Sequence, residues 1–257
     1  MIAFFFFLFG LMIGSFLNVV ILRLPEDKPL AAGRSHCPHC RKLIAWYDNI
    51  PLLSFLLLRA RCRRCGKPIS WRYPLVELLT GLIFAAMAWR WEGREPWALA
   101  FAGACAGLIA IAFIDWDTFL IPDVLSLGLA AAGLASSVGN PIFGSSASWR
   151  SGLTGLEGAL TGFGLCWGIA MIGEWALKKE AMGGGDVKLL AAVGAWSGPR
   201  GALDCLIVAS FLGAIYGLSQ RLMGRLGRLE PIPFGPFLSA AAILNFFYLV
   251  PLENFFQ

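Results

Sequence analysis

Two kinds of reactive side chain stand out in this 257-residue chain: carboxylates at the edges of apolar runs, and cysteines in spaced pairs. The stretch Met182-Gly183-Gly184-Gly185-Asp186-Val187-Lys188 lies between two long apolar segments. Three glycines in a row weaken a helix and let backbone approach backbone closely. A carboxylate at the start of a membrane segment is costly, which makes Asp186 a functional-site candidate by default. A second candidate, Asp115, closes another apolar run and is followed by Trp116-Asp117 and Ile121-Pro122-Asp123. Two carboxylates at close range cannot both ionise, so they share a proton. The ionised one can act as general base on a water; the protonated one polarises a carbonyl and then protonates the leaving amine. That is peptide hydrolysis without a nucleophilic side chain or a catalytic metal. Residue types alone leave two other readings open. Asp115 and Asp186 could cap helices, favoured by the backbone dipole, or couple an ion in a transporter with glycine-broken helices. A transporter should carry polar residues deep in several spans, and this chain has few.

The second chemistry is metal binding. Cys37-Pro38-His39-Cys40 and Cys62-Arg63-Arg64-Cys65 form two CxxC knuckles separated by residues 41–61. Each can offer two thiolates, and four complete a tetrahedral zinc site. Disulfides or redox thiols are the alternatives, and a reducing cytoplasm argues against stable disulfides. Basic neighbours favour thiolate and offset the charge of the site. His36 and His39 read as bystanders, because four cysteines suffice. A module of this size has too little core to fold without its metal. Cys105, Cys166 and Cys205 lie in apolar segments and read as packing residues.

The elements that must position these groups are membrane helices. The chain is 58% hydrophobic and 14% charged, against about 25% charged in a soluble domain. Several apolar runs exceed the roughly 18 residues a span requires. Met1 to Leu22 has neither the basic start nor the small-residue site of a signal peptide, so it reads as a retained first helix. Asn18 within it should face another helix. Residues 23–74 follow as the one long polar region. There Lys28, Arg34, Arg41, Lys42, Arg59, Arg61, Arg63, Arg64, Lys67 and Arg72 outnumber Glu26, Asp27 and Asp48, which places the region in the cytoplasm and next to anionic headgroups. The formal net charge of +5 reports this orientation; nucleic-acid binding is not expected. Trp46 to Leu58 is apolar but short, and should pack on the membrane surface or the bundle. Further spans are expected at 75–89, 97–114, 124–138, 153–177, 187–197, 202–222 and 237–250. Lys178 and Lys179, then Arg221, Arg225 and Arg228, mark cytoplasmic ends. Charge topology therefore brings Asp115 and Asp186 to one membrane face. The fold expected is an all-α polytopic membrane protein of about eight transmembrane helices, both termini outside, with a small cytoplasmic zinc-binding insertion after the first helix. The short 187–197 segment is the weakest span; were it re-entrant, the C-terminal orientation would flip.

These residues resemble a known family. Gly183-Gly184-Gly185-Asp186 fits the GxGD motif of intramembrane aspartyl proteases. With Ile114-Asp115-Trp116-Asp117 and Ile121-Pro122-Asp123 it resembles the prepilin peptidases, or type IV leader peptidases. Gly14-Ser15-Phe16-Leu17-Asn18, Arg23-Leu24-Pro25, the paired knuckles, Trp46-Tyr47-Asp48-Asn49-Ile50-Pro51 and Tyr73-Pro74-Leu75-Val76-Glu77 are similar to the family's N-terminal part. The resemblance implies Asp115 and Asp186 as the catalytic pair, with Asp117 and Asp123 as accompanying acids. Gly183, Gly185 and Lys188 support the motif; the role of Lys188 is open, one option being to bias the protonation of Asp186. It implies prepilins and type II secretion pseudopilins as substrates, cut on the cytoplasmic side of a bacterial inner membrane after the glycine that ends a basic leader. It also implies N-methylation of the new N-terminal residue from S-adenosylmethionine, tied to residues 23–74, with the peptidase in 75–257. No fingerprint in the chain identifies residues that hold S-adenosylmethionine. A zinc-stabilised membrane scaffold for a secretion or pilus assembly is the non-enzymatic alternative.

Overall fold

The computed structural model describes residues 1–31, 35–143, 148–178, 182–225, 227 and 231–248. Arg34, Lys179, Arg228, part of the loop after Phe143 and the last residues of the expected final span, 249–250, lie outside them. Among the described residues are eight α-helices and no strand beyond two isolated bridges. They are α1 Ile2–Arg23, α2 Leu53–Leu57, α3 Arg72–Arg90, α4 Glu95–Thr118, α5 Asp123–Ser137, α6 Ser148–Leu177, α7 Gly184–Leu222 and α8 Gly235–Tyr248. By length and composition, the helical segments at 2–26, 95–118, 149–176 and 184–222 can cross a membrane. Leu160, Ile172 and Phe211 are each more than 60% exposed. Such outward-facing apolar side chains suit hydrocarbon rather than water. The chain forms two compact units, Met1–Ala110 and Ile111–Gln257.

In the first unit, α1 packs on α3 through small residues. A side chain at Gly14 would lie 2.7 Å from the Glu77 backbone, and one at Gly81 would lie 2.8 Å from Leu11. Close backbone approach of this kind stands in for a hydrophobic driving force that lipid does not supply. Asn18 is buried at the same contact and donates from Nδ2 to the Tyr73 carbonyl at 3.2 Å and the Gly14 carbonyl at 3.3 Å. The helix-facing role expected for it is what the structure shows.

In the second unit, α7 decides the arrangement. Its 39 residues would run about 58 Å if straight, roughly twice the hydrocarbon thickness. It does not run straight. Gly198 sits at φ 75°, ψ −178°, followed by Pro199. That backbone region is open essentially only to glycine, and proline removes the next helical hydrogen bond. The chain turns back there. Trp196 meets Phe246, and Gly201 faces Asn245, both at the C-terminal end of α8; Gly213 and Gly217 meet Phe237 and Ile232 near its start. The two legs, 184–197 and 199–222, correspond to the separate segments expected at 187–197 and 202–222.

The first leg is clasped on two sides. Against α6, Gly158 meets the backbone of Gly194 and Gly198, and Gly162 meets that of Leu190, with no room for a side chain. Against α5, Gly133 makes room for the Trp196 ring, whose Nε1 donates to the Leu129 carbonyl at 2.9 Å. Asn140 donates to the Trp196 carbonyl at 2.8 Å. Glycines on α6 and α5 thus hold the leg that begins with Asp186.

Gly198→Ala is expected to destabilise the detergent-solubilised protein by about 1–3 kcal/mol. Gly164→Ala, on an open face of α6, should be neutral or slightly stabilising. Thermal unfolding of both variants checks this; equal melting temperatures would contradict the reversal at Gly198.

Candidate active site and metal centre

Asp115 lies in the last turn of α4, which runs on to Thr118 rather than ending before the aspartate. Ile111 and Ile114, one turn behind and directly before it, are fully buried. Asp115 itself is only 5% exposed. Its carboxylate is held from a distant element: the Gly235 N–H, at the start of α8, donates to Oδ2 at 2.9 Å. That amide is one of the orphan donors every helix start presents, so the bond satisfies two buried groups at once.

Asp186 is in the first turn of α7, where helix polarity suits a carboxylate. Its amide donates to the Gly183 carbonyl at 3.1 Å. Its side chain lies within electrostatic reach of Asp115. Oδ1 of Asp186 is buried and has no hydrogen-bond partner. The two aspartates, 71 positions apart by their numbers, are thereby brought together by α4 and α7. An anchored carboxylate beside one with an unfilled oxygen is suited to holding a water and a carbonyl between them.

The three glycines before Asp186 do different things. A side chain at Gly185 would come within 2.8 Å of Ile121 Cβ, so this glycine seats the start of α7 on the segment before α5. Gly184 faces open space. Gly183 lies against Asp186 Oδ2, 3.4 Å from where its side chain would begin. Lys188 pairs with Asp123 Oδ1 at 2.7 Å. It ties α7 to α5, and its charge is directed to Asp123 rather than to Asp186. Trp116 packs edge-on to Tyr216 at 5.4 Å, and Tyr216 meets Phe237 at 5.5 Å. These rings join α4, the second leg of α7 and α8 next to the Asp115–Gly235 bond. Gly235 is not among the residues the sequence singled out. The available signal was a glycine followed by proline at a helix start on the same face as the acids.

In the first unit, the four knuckle sulfurs lie within 4.8 Å of one another. Cys37 Sγ and Cys65 Sγ are 3.9 Å apart, close to the roughly 3.8 Å edge of a tetrahedron with Zn–S bonds of about 2.3 Å and far beyond a disulfide bond. The backbone explains the convergence. Cys37 N–H donates to the Lys42 carbonyl and Arg41 N–H to the Cys37 carbonyl; Cys62 with Lys67, and Gly66 with Cys62, repeat the pattern bond for bond. The bridges His36–Leu43 and Arg61–Pro68 repeat as well. Each knuckle closes on a left-handed residue, Arg41 at φ 55° and Gly66 at φ 68°. Donation from the Cys65 and Arg64 amides lowers the Cys62 thiol to about 7. The Lys67 amide acts to lower Cys65, but desolvation and the thiols of Cys62, Cys40 and Cys37 outweigh it and push that thiol to about 11. Zinc bound here would replace several thiol protons.

Three stretches that were separate in sequence meet beside this module. Glu77, 8% exposed, accepts from Leu52 N–H at 2.9 Å and bonds to the Ser15 hydroxyl. Leu52 occupies a tight turn, φ 58° and ψ −48°, closed by a 2.6 Å bond from Leu53 N–H to the Pro51 carbonyl. Arg63 of the second knuckle grips Asp48 with both arms, at 2.7 to 3.0 Å. The segments Gly14–Asn18, Trp46–Pro51 and Tyr73–Glu77 are thus one assembly.

Comparison with known proteins accords with both halves. Residues 8–91 match the bacterial peptidase A24 N-terminal domain, and residues 102–218 match the type IV leader peptidase family. The chain is 38% identical over 267 aligned residues to the prepilin leader peptidase/N-methyltransferase of Burkholderia pseudomallei (strain 1026b), covering 94% of this chain and 84% of that one. The chain belongs to the type IV leader peptidase family. It is also 41% identical to the Aeromonas hydrophila prepilin leader peptidase/N-methyltransferase, over 91% of this chain and 87% of that protein. A third relative is the type 4 prepilin-like proteins leader peptide-processing enzyme of Escherichia coli O78:H11, at 41% identity over 93% and 91%. No solved structure matches the chain.

Two outcomes are expected. Purified wild type should carry one zinc per chain by elemental analysis, and Cys37→Ser or Cys62→Ser should lose it; zinc-free wild type would refute the metal centre. Gly185→Ala should destabilise by about 1–3 kcal/mol through overpacking against Ile121. Gly184→Ala should change stability by no more than about 1 kcal/mol; similar effects from the two would contradict the packing described.

Proposed function

We propose that the chain is a membrane aspartyl endopeptidase that removes the leader from type IV prepilins and then N-methylates the new N-terminal residue. The observation that carries this reading is the packing that draws the starts of α7 and α8 onto the end of α4, Gly185 beside Asp186 against Ile121 and Gly235 against Asp115, in the unit that matches the leader peptidase family. One carboxylate activates water, the other polarises the scissile carbonyl and protonates the leaving amine. No covalent intermediate with the protein is needed. Gly183 and Gly185 set the position of Asp186, and Lys188 fixes α7 to α5 through Asp123.

Substrates include the pseudopilins of type II secretion, cut on the cytoplasmic face of the bacterial inner membrane. Basic residues at 59–72 and at 221 and 225 support that orientation. The chain crosses the membrane about eight times in this reading, counting the two legs of α7 separately. Methylation draws on S-adenosylmethionine and belongs to the region at 23–74, where zinc on Cys37, Cys40, Cys62 and Cys65 has a structural task. The peptidase chemistry belongs to 75–257. Trp46, Leu56, Leu57 and Trp71 are exposed beside the basic residues of the zinc region, which supports its contact with anionic headgroups.

Cleavage of a synthetic prepilin by purified protein in detergent tests the reading. Wild type is expected to release the leader. Asp115→Asn and Asp186→Asn should each lose cleavage by at least about a thousandfold while keeping zinc and the wild-type melting temperature. Full activity in either variant would overturn the assignment of the pair.

A further inference from the structure

The catalytic pair has a third member that is a backbone group. Asp115 Oδ2 receives the Gly235 N–H at 2.9 Å in a buried setting, across 120 residues of sequence. Position 235 has no space for a side chain. A Cβ there would stand 2.7 Å from Asp115 Oδ2, 3.0 Å from Cγ and 3.2 Å from Cβ. Glycine is therefore required by the carboxylate it holds, with no unusual φ involved. The following Pro236 favours a helix start at this point, which leaves the Gly235 amide directed at Asp115. Asp186 is held differently: its carboxylate has a local backbone bond from Gly183, while its Oδ1 is buried without a hydrogen-bond partner. A proton carried on that oxygen has no acceptor within the protein and is free to be donated to a substrate carbonyl.

We propose that Gly235 is a positioning residue for the cleavage reaction, its N–H fixing Asp115 as the general base and leaving Asp186 as the acid. This rests on the peptidase reading above. Asp115 takes a proton from water as the water oxygen bonds to the scissile carbonyl carbon, while Asp186 O–H hydrogen-bonds the carbonyl oxygen. The C–N bond then breaks as the amine nitrogen takes the proton of Asp186. The proton held by Asp115 passes to Asp186, restoring the pair. The products are a carboxylic acid and an amine, and one water is consumed. The Gly235 N–H holds Asp115 in line with the water throughout; it neither gives up nor receives a proton.

The test replaces Gly235 by glycolic acid through nonsense suppression in a cell-free system with lipid or detergent. This ester removes the N–H and adds no bulk. It also weakens the Phe234 carbonyl that accepts from Phe237 and Leu238, so the same ester placed at Leu238, which weakens only local α8 bonds, serves as the control. The measurement is kcat and KM on a synthetic prepilin, beside Gly235→Ala, Asp115→Asn and Asp186→Asn. The ester variant is expected to lose about tenfold to a hundredfold in kcat with KM within twofold of wild type. Gly235→Ala should lose more, because its methyl displaces the carboxylate. A kcat within twofold of wild type in the ester variant, or a loss confined to KM, would overturn the role of Gly235. The aspartate variants keep the two ideas apart. If they still cleave, the peptidase pair is wrong; if they are inactive while the ester is fully active, only the positioning role falls.

Discussion

A carboxylate buried among apolar helices must be given partners, and the second unit is organised around those given to Asp115 and Asp186. Desolvating a charge is far more costly than desolvating a neutral polar group. Among the described residues no cation acts on either carboxylate: Lys188, the cation nearest in sequence to Asp186, is occupied by Asp123. Asp115 instead receives a helix-start amide, and Asp186 sits in the first turn of its own helix. A cation between the two acids would favour the ionised form of both and leave neither carboxyl protonated. Backbone groups serve both carboxylates instead, Gly235 at Asp115 and Gly183 at Asp186.

Much of the remaining packing serves to bring these helix ends together. The reversal at Gly198 returns the second leg of α7 to the level where α8 begins, and α8 supplies Gly235. The glycines of α6 let the first leg approach closely enough to be held along its length, and Gly185 seats its start on Ile121. In the first unit a different constraint applies. The knuckles have little apolar core, so four sulfurs within 4.8 Å and a repeated set of backbone bonds take the place of one. Glu77 links that module to α1 and α3.

Local signals carried a good deal of this. Apolar runs bounded by charge marked the helices to within a few residues, because hydrophobic length is a one-dimensional property. CxxC spacing marked the four cysteines whose sulfurs converge, because a knuckle is a local structure. The repeat linking the two knuckles was visible only as hydrogen bonds, since Arg41 takes in one copy the left-handed position that Gly66 takes in the other. Contacts between distant segments were not legible. Gly235-Pro236 signals a helix start but not its partner 120 residues away, and nothing in Gly183-Gly184-Gly185 says that the third glycine is the one packed tightly. The 187–197 segment looked short for a span because it is one leg of a reversed helix whose turn depends on the φ of Gly198.

The central claim, that two carboxylates act together on a water, is tested most directly by the origin of the new carboxylate oxygen. A single turnover in ¹⁸O-water with excess enzyme, followed by mass spectrometry of the released leader, reports it. The expected result is one ¹⁸O atom in the leader's terminal carboxylate, with Asp115 and Asp186 unlabelled. A first-turnover leader carrying only ¹⁶O, with ¹⁸O appearing in an aspartate, would mean direct attack by the protein and would contradict the account.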